Sequence, residues 1–257
     1  MKIINIFKKY SKIIILILCI FFIIYYKNNE GFNTQRKNIA FYTVFTGTDA
    51  NIAFKVTQVP SENYDSYYYT NNKKLLDLLK DTKWIPMYLD IPITDDEVQS
   101  AMDSKHLKIV PSDYPELNKY DYTVYLDSKV TINSIEYIES LIDKYMPQYS
   151  MLVLRHEFLK GKVWDEFNES MKQPRYKREE DKYFNYINKQ LSNGLSHTTP
   201  DHYTTKFIIR NMKSPVIKEI NDTWYEHTKE CGIECQISFF FAKQLYINDI
   251  YPIEKIE

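Results

Sequence analysis

An α/β domain with a mostly parallel central sheet is the fold this sequence predicts. Two observations carry it. Between residues 39 and 154, apolar runs rich in β-branched and aromatic residues alternate with helix-patterned stretches, the order of an α/β sheet. One of those runs, Tyr122 to Leu126, ends on an acid, Asp127, and such sheets place their ligands at the carboxyl ends of strands.

The elements follow in order. Ile39 to Phe45 reads as a buried strand closed by Thr46-Gly47, and Tyr64 to Thr70 as a second. Leucines at 75, 76, 78 and 79 mark a short helix over 73–80. Trp84 to Leu89 is a third strand, held to an edge or a strand end by Pro86. Thr94-Asp-Asp-Glu97 reads as a capping box opening a helix to about Leu107, and Asn133-x-x-Glu136 as a second cap opening a helix to Tyr145. Met151 to Leu154 is a strand, 162–172 and 178–191 are charged helical stretches, and Lys206 to Arg210 is a strand. Ser214-Pro215 places proline at the first position of a helix to about Lys229. A last helix runs from near Glu234 to near Tyr246.

Charge divides the chain. Of its 257 residues, the first 37 carry +6 and the remainder −7, so the main domain lacks a nucleic-acid footprint. Ile13 to Tyr26 is an unbroken apolar or aromatic run flanked by Lys8, Lys9, Lys12 and Lys27. Lysine snorkelling and interfacial tyrosines extend it toward a membrane span, and no A-x-A-like cleavage site follows. The expected organisation is a cytoplasmic tail (1–12), a transmembrane anchor (13–27), a stem (28–37) and one domain over 38–250. Lysines before the span predict type II topology, with the domain in a secretory lumen (Golgi or ER) or outside a viral or cell-surface membrane. Asn168-Glu-Ser170 and Asn221-Asp-Thr223 would then be glycosylation sequons.

Glycine scarcity excludes whole classes. The five glycines, at 31, 47, 161, 194 and 232, form no GxGxxG, GxxxxGK or GxSxG loop. Phosphate handling must then rest on charge. Lys105, His106 and Lys108 lie late in one helix, where cations reach a diphosphate or simply favour the helix dipole. Asp127 is either a donor or metal residue or a turn-initiating acid; Asp127-Ser128-Lys129 has a cation where a D-x-D pair has its second acid. Arg155 and His156 follow a strand, and Asp165 with Glu166 offers a base or a solvated helix face. Arg155 and Arg210 are the candidate bidentate phosphate partners. His227, Cys231 and Cys235 share helical spacing but have no fourth zinc ligand, and a Cys231–Cys235 bridge is sterically poor within a helix. Gln236 and Ser238 open an aromatic helix that either is buried in the core or presents these two polar residues to a cleft.

In their order, these pieces resemble the glycosyltransferase-like domain of the plant turgor-regulation-defect and mucilage-related proteins. The matching pieces are Phe45-Thr-Gly47, Tyr64-Asp65 through Thr70-Asn71, Lys108-Ile-Val-Pro111, Tyr125-Leu-Asp-Ser-Lys-Val130, His156 with Val163-Trp-Asp-Glu166, Gly194-Leu195 leading to Ile208-Ile-Arg210, Trp224 to Glu226, and Gln236-Ile-Ser-Phe239. The likeness spans roughly 38–246. It implies a Rossmann-like GT-A domain that transfers sugar from a nucleotide-sugar donor to a glycan, protein or lipid acceptor. By the same resemblance Asp127 is the donor or metal residue, holding a divalent metal, Mn or Mg, where one is used, with Lys129 at its family position and His156, Asp165, Glu166, Arg210 and Gln236 lining the site; Gly47, Lys105 and Lys108 join them as donor-side candidates from their places in the chain. The base comes from Asp165, Glu166, Glu226 or Glu234. One departure is Cys235, where the family tends to carry an acid directly before the glutamine. Two rival readings remain open: a membrane-tethered sugar-binding module without catalysis, and a ceramidase-like lipid amide hydrolase.

Overall fold

The computed structural model describes residues 36–50 and 52–256. The expected tail, anchor and most of the stem lie outside the described residues. Among those described, no helix is long and apolar enough to cross a membrane.

Each strand forms where β-branched and aromatic residues cluster. Strand β1 (Ile39–Phe45) is followed by a 3-10 turn at Ile52–Lys55, β2 (Asp65–Thr70), α1 (Lys73–Leu79) and β3 (Ile85–Tyr88). Then come α2 (Glu97–Ile109), a 3-10 turn at Pro111–Asp113, α3 (Pro115–Asn118), β4 (Tyr122–Leu126), α4 (Ile135–Tyr145) and β5 (Met151–Arg155). The chain continues through α5 (Val163–Ser170), α6 (Pro174–Lys177), α7 (Glu180–Ser192) and β6 (Tyr203–Asn211). It ends with α8 (Ile217–Cys231), α9 (Cys235–Leu245) and β7 (Ile250–Ile253).

The strands form one sheet in the order β3-β2-β1-β4-β6-β5-β7. β1 pairs parallel with β2 and β4, β2 with β3, and β5 with β7. The mixed α/β fold with a mostly parallel sheet is as expected. The exception is β6, antiparallel to both β4 and β5. It therefore starts at the edge where β4 and β5 end.

Alternation along β1 defines two layers. Phe41 and Ile39 face α4, whose Ile138, Leu141 and Ile142 are buried there at roughly 1.5–3 kcal/mol each. Ala40 and Tyr42 face the opposite core, which holds Leu107, Ile217, Ile220 and Trp224. The aromatic helix α9 serves two cores. Phe239 joins the sheet layer, while Phe240 and Phe241 pack with Tyr183, Tyr186 and Ile187 of α7. Trp224 ties α8 to α9 by donating to the Cys235 carbonyl and Ser238 Oγ, 3.1 Å each. Gly232 joins those helices at φ 117°, and a Cβ there would meet Glu179 Oε2 at 2.7 Å and Tyr183 at 2.8 Å, so glycine is required.

Several local expectations are corrected. Asp96, not Thr94, caps α2, accepting from the Val98 and Gln99 amides; Thr94 Oγ1 accepts from the Asp96 amide instead. Ser134, not Asn133, caps α4. Pro215 precedes α8, whose cap is Val216. β6 starts three residues earlier than expected, and β7, which extends the domain past 250, was unexpected; its Pro252 is tolerated because β7 is an edge strand. Cys231 and Cys235 are both free and buried.

Candidate functional site at the carboxyl edge of the sheet

The carboxyl ends of β4 and β5, the start of β6 and the first turns of α5 and α9 converge on one edge. The Asp127 amide donates to the Lys206 carbonyl at 2.8 Å, fixing the end of β4 against β6. Asp127 Oδ1 accepts from the Tyr125 hydroxyl at 2.5 Å and lies 3.7 Å from Lys108 Nζ. Lys108 reaches this point from the last turn of α2, buried, with its ammonium 4.9 Å from the Tyr125 ring centroid. Burial alone would lower the Lys108 pKa, but the facing Asp127, Cys235 and Glu234 outweigh it and the net direction is upward, so the ammonium is permanent at neutral pH. Burial holds Tyr125 well above the ordinary phenol range, so it remains a donor.

The start of α9 supplies the next groups. Lys105 Nζ lies 3.4 Å from Cys235 Sγ, which is also 3.4 Å from Thr205 Oγ1. Glu234 caps α9 by accepting from the Gln236 amide at 3.0 Å, and its carboxyl is raised by burial and then by Glu166, against the opposing charge of Lys105. Gln236 donates to Glu166 Oε1 at 2.8 Å and accepts from the Thr205 amide at 3.2 Å. The other Glu166 oxygen lies 2.6 Å from His202 Nε2. Burial raises Glu166 and lowers His202 to about 4, with Lys243 adding to the second effect. His156 packs on His202 at 5.6 Å between ring centroids, accepts from the Leu159 amide at 3.2 Å and is also lowered by burial.

The edge thus brings together Lys105, Lys108, Asp127, His156, Glu166, Glu234 and Gln236 of the expected residues. Asp165 lies beside Glu166 in the first turn of α5, exposed. Others do not join. Arg210 pairs with Thr123 and Met151, at the opposite edge, about 13 Å along β6 from Lys206. There it is fully buried, donating to Asn221 Oδ1, the Tyr42 hydroxyl and the Lys108 and Ile109 carbonyls. It caps the carboxyl end of α2, where a guanidinium suits the helix dipole. Arg210 is therefore not a phosphate ligand. Asn221 is buried as well, which removes it as a glycan acceptor in the folded chain, whereas Asn168 is exposed. Arg155 is held by Asp201 at 3.2 Å and Glu254 at 2.9 Å. Glu226 faces solvent on α8, paired with Lys229 at 2.6 Å. Lys129 is exposed beyond the edge. His106 is occupied by Tyr114 at 2.9 Å and Asp113 at 3.3 Å. His227 Nδ1 is occupied by the Tyr186 hydroxyl at 2.6 Å, and among the described residues no three acids, histidines or cysteines cluster for a metal.

Sequence reasoning missed His202, Thr205, Tyr125 and Lys243. Lys243 is buried with its ammonium 3.7 Å from the Tyr203 ring centroid and its pKa lowered to about 7 by burial. Only an antiparallel assignment for β6 would have placed His202 and Thr205 at this edge.

A hollow of about 590 Å³ opens beyond the ends of β1, β2 and β3, lined among others by Asp49, Asn71, Asn72, Lys73, Tyr88 and Asp90. Its frame is two buried asparagines. Asn71 accepts from the Gly47 amide at 3.1 Å, and Asn72 donates to the Gly47 carbonyl at 3.2 Å and to Asp49 at 2.9 Å. Gly47 has φ 143°, and a Cβ would lie 3.2 Å from Ser100 Oγ. Strand spacing of about 4.8 Å puts this hollow two to three strands, roughly 10–15 Å, from Asp127.

The residues present do not fit a divalent cation at Asp127. Mg²⁺ and Mn²⁺ take several oxygen ligands. Here one carboxylate oxygen is already shared between a phenol and an ammonium, the second acid of a D-x-D pair is Lys129, and among the described residues no three acids, histidines or cysteines cluster for a metal.

No protein-family model and no curated protein matches the chain. By structure it is similar to mouse xyloside xylosyltransferase 1 in its apo form, at 9% identity and TM-score 0.49, covering 84% of each chain. It is similar to the bifunctional glycosyltransferase WbbM, apo, at 10% identity and TM-score 0.48, covering 85% of this chain and 39% of that one. It is also similar to core-mannan synthase A of Aspergillus fumigatus in its Mn/GDP form, at 10% identity and TM-score 0.47, covering 85% and 73%. These are likenesses of chain path alone, and a functional reading must come from this chain's own residues.

Proposed function

We propose that this chain is a glycosyltransferase that moves a sugar from a nucleotide-sugar donor to a glycan, protein or lipid acceptor, held at a membrane by residues 13–27. One observation carries the reading. A fixed-charge cluster at Asp127, Lys108 and Lys105 and an amphipathic hollow share the carboxyl edge of an α/β sheet, separated by the reach of an extended nucleoside diphosphate. The nucleoside lies in the hollow, between Tyr88 and the Asn71–Asn72 frame, and the diphosphate runs toward Lys105 and Lys108. Preorganised cations there stabilise the charge that grows on the departing diphosphate.

Deprotonation of the acceptor hydroxyl falls to Asp165. Glu166 has both oxygens engaged, Glu226 points to solvent with Lys229, and Glu234 is committed to the α9 cap. Asp165, beside Glu166 in the same turn, is exposed and is the candidate left to meet an acceptor. That commitment of three candidate bases also favours a second reading, a sugar-binding module that has kept the fold without catalysis.

The test is release of nucleoside diphosphate from a panel of UDP- and GDP-sugars by the full chain purified in detergent. Turnover that is lost in Asp127→Ala, and lost in Asp165→Asn with donor binding retained, supports the transferase. Sugar binding without nucleotide, and no turnover with any donor, supports the binding module. Ceramide hydrolysis overturns both.

A further inference from the structure

Resting on the transferase reading, we propose that Lys108 takes the electrostatic place of the divalent ion at Asp127, so that this chain binds nucleoside diphosphates without metal. The argument starts from burial. An ammonium on the last turn of α2 is carried into the sheet edge, packed on the Tyr125 ring and set 3.7 Å from Asp127 Oδ1. Its backbone carbonyl is pinned from behind by Arg210 and the Tyr42 hydroxyl, at 3.0 and 3.1 Å. The cation is therefore a fixed part of the fold and not a surface side chain that swings aside.

Its position decides what Asp127 can do. A cation bound through the Asp127 carboxylate, which is 43% exposed, would sit within a few ångströms of this buried ammonium and be repelled by it. The Tyr125 hydroxyl occupies the same oxygen. The charge Asp127 would lend to a metal is already neutralised. Lys105, held by Cys235 at the start of α9, then remains as the positive group nearest the cleft. Lys105 and Lys108, faced by Asp127 and Glu234, are two ammonium groups already held at this edge to meet a diphosphate with no added ion.

The test measures UDP and GDP binding to the full chain by titration calorimetry in EDTA and in Mn²⁺, with free Mn²⁺ followed separately by its electron paramagnetic resonance signal. The expected result is affinity equal within about twofold in the two buffers and no Mn²⁺ taken up by protein alone. Lys108→Met, which keeps length and removes charge, exposes the Asp127 carboxylate. Its diphosphate affinity should fall at least about tenfold in EDTA and recover in Mn²⁺, where the oxygens of the diphosphate supply the ligands the protein lacks, a gain of metal dependence that a purely structural lysine would not produce. Wild-type binding only in Mn²⁺ overturns this inference and leaves the transferase standing. Equal losses in both buffers for Lys108→Met also overturn it. No UDP or GDP binding in either buffer removes the donor-site reading itself. If the variant does not fold, the wild-type comparison between buffers still decides.

Discussion

Arg210→Met separates a phosphate ligand from a helix cap. Arg210 is 0% exposed and donates to four acceptors, none of them a carboxylate. Methionine fills most of the volume and removes every donor. The Lys108 carbonyl keeps the Tyr42 hydroxyl at 3.1 Å, so it stays satisfied. The Ile109 carbonyl and Asn221 Oδ1 lose their donor in the interior, at about 1–3 kcal/mol each, for a total of about 4 kcal/mol. For a chain of this size that corresponds to a fall in Tm of about 8–16 °C. The assay is thermal unfolding by circular dichroism, with UDP titrated below the transition. A large loss of stability, with UDP affinity changed only as far as Lys108 shifts, is expected. Unchanged stability together with affinity lost a hundredfold would refute the cap and return Arg210 to the donor site.

Two further predictions follow from the edge. His202 is held to about 4, below its unfolded value of about 6.5, by burial and then Lys243, with Glu166, Asp165, Glu234 and His156 also facing it. A depressed histidine stabilises the fold fully above its unfolded value and loses that contribution as pH falls toward 4, so the advantage of wild type over His202→Gln in urea unfolding should shrink by about 3 kcal/mol between pH 7 and 4. An advantage that grows toward acid would mean a protonated His202 pairing with a Glu166 carboxylate. Tyr88, 47% exposed on the wall of the hollow, offers a ring to a base, so Tyr88→Ala should weaken UDP about tenfold and leave pyrophosphate unchanged in the same titration.

The parts of the fold that were legible in the sequence are those where local pattern and tertiary context agree. β1, β4 and β5 are short apolar runs buried on both faces, and any α/β sheet would use them in this way. Asp127 was legible as a candidate because it ends a parallel strand at the carboxyl edge, while its other reading, an acid that opens a turn, is met as well by the Val130 amide donating to its carbonyl. Caps were legible only to within a residue or two, since Thr94 and Asp96, or Asn133 and Ser134, offer the backbone nearly equivalent oxygens. β7 was not legible, because four residues with a proline carry no signal apart from the β5 edge they join.

The larger error, Arg210, came from residue type and from the resemblance, neither of which reports the direction of β6. Nothing in Tyr203–Asn211 reports its partner's direction, and the alternation over 39–154 stops short of it. Read as parallel, the strand ends at Arg210 beside Asp127, and a phosphate-binding arginine follows. Read as antiparallel, its first residues reach the edge and its last retreat from it. His202, Thr205 and Lys206 then replace Arg210 there. The same reversal turns Arg210 into the clamp behind α2, and the clamp fixes the backbone that carries Lys108. One strand direction therefore exchanges a mobile phosphate partner at the cleft for a rigid support beneath it. That exchange is why the cation facing Asp127 can be buried, permanent and preorganised.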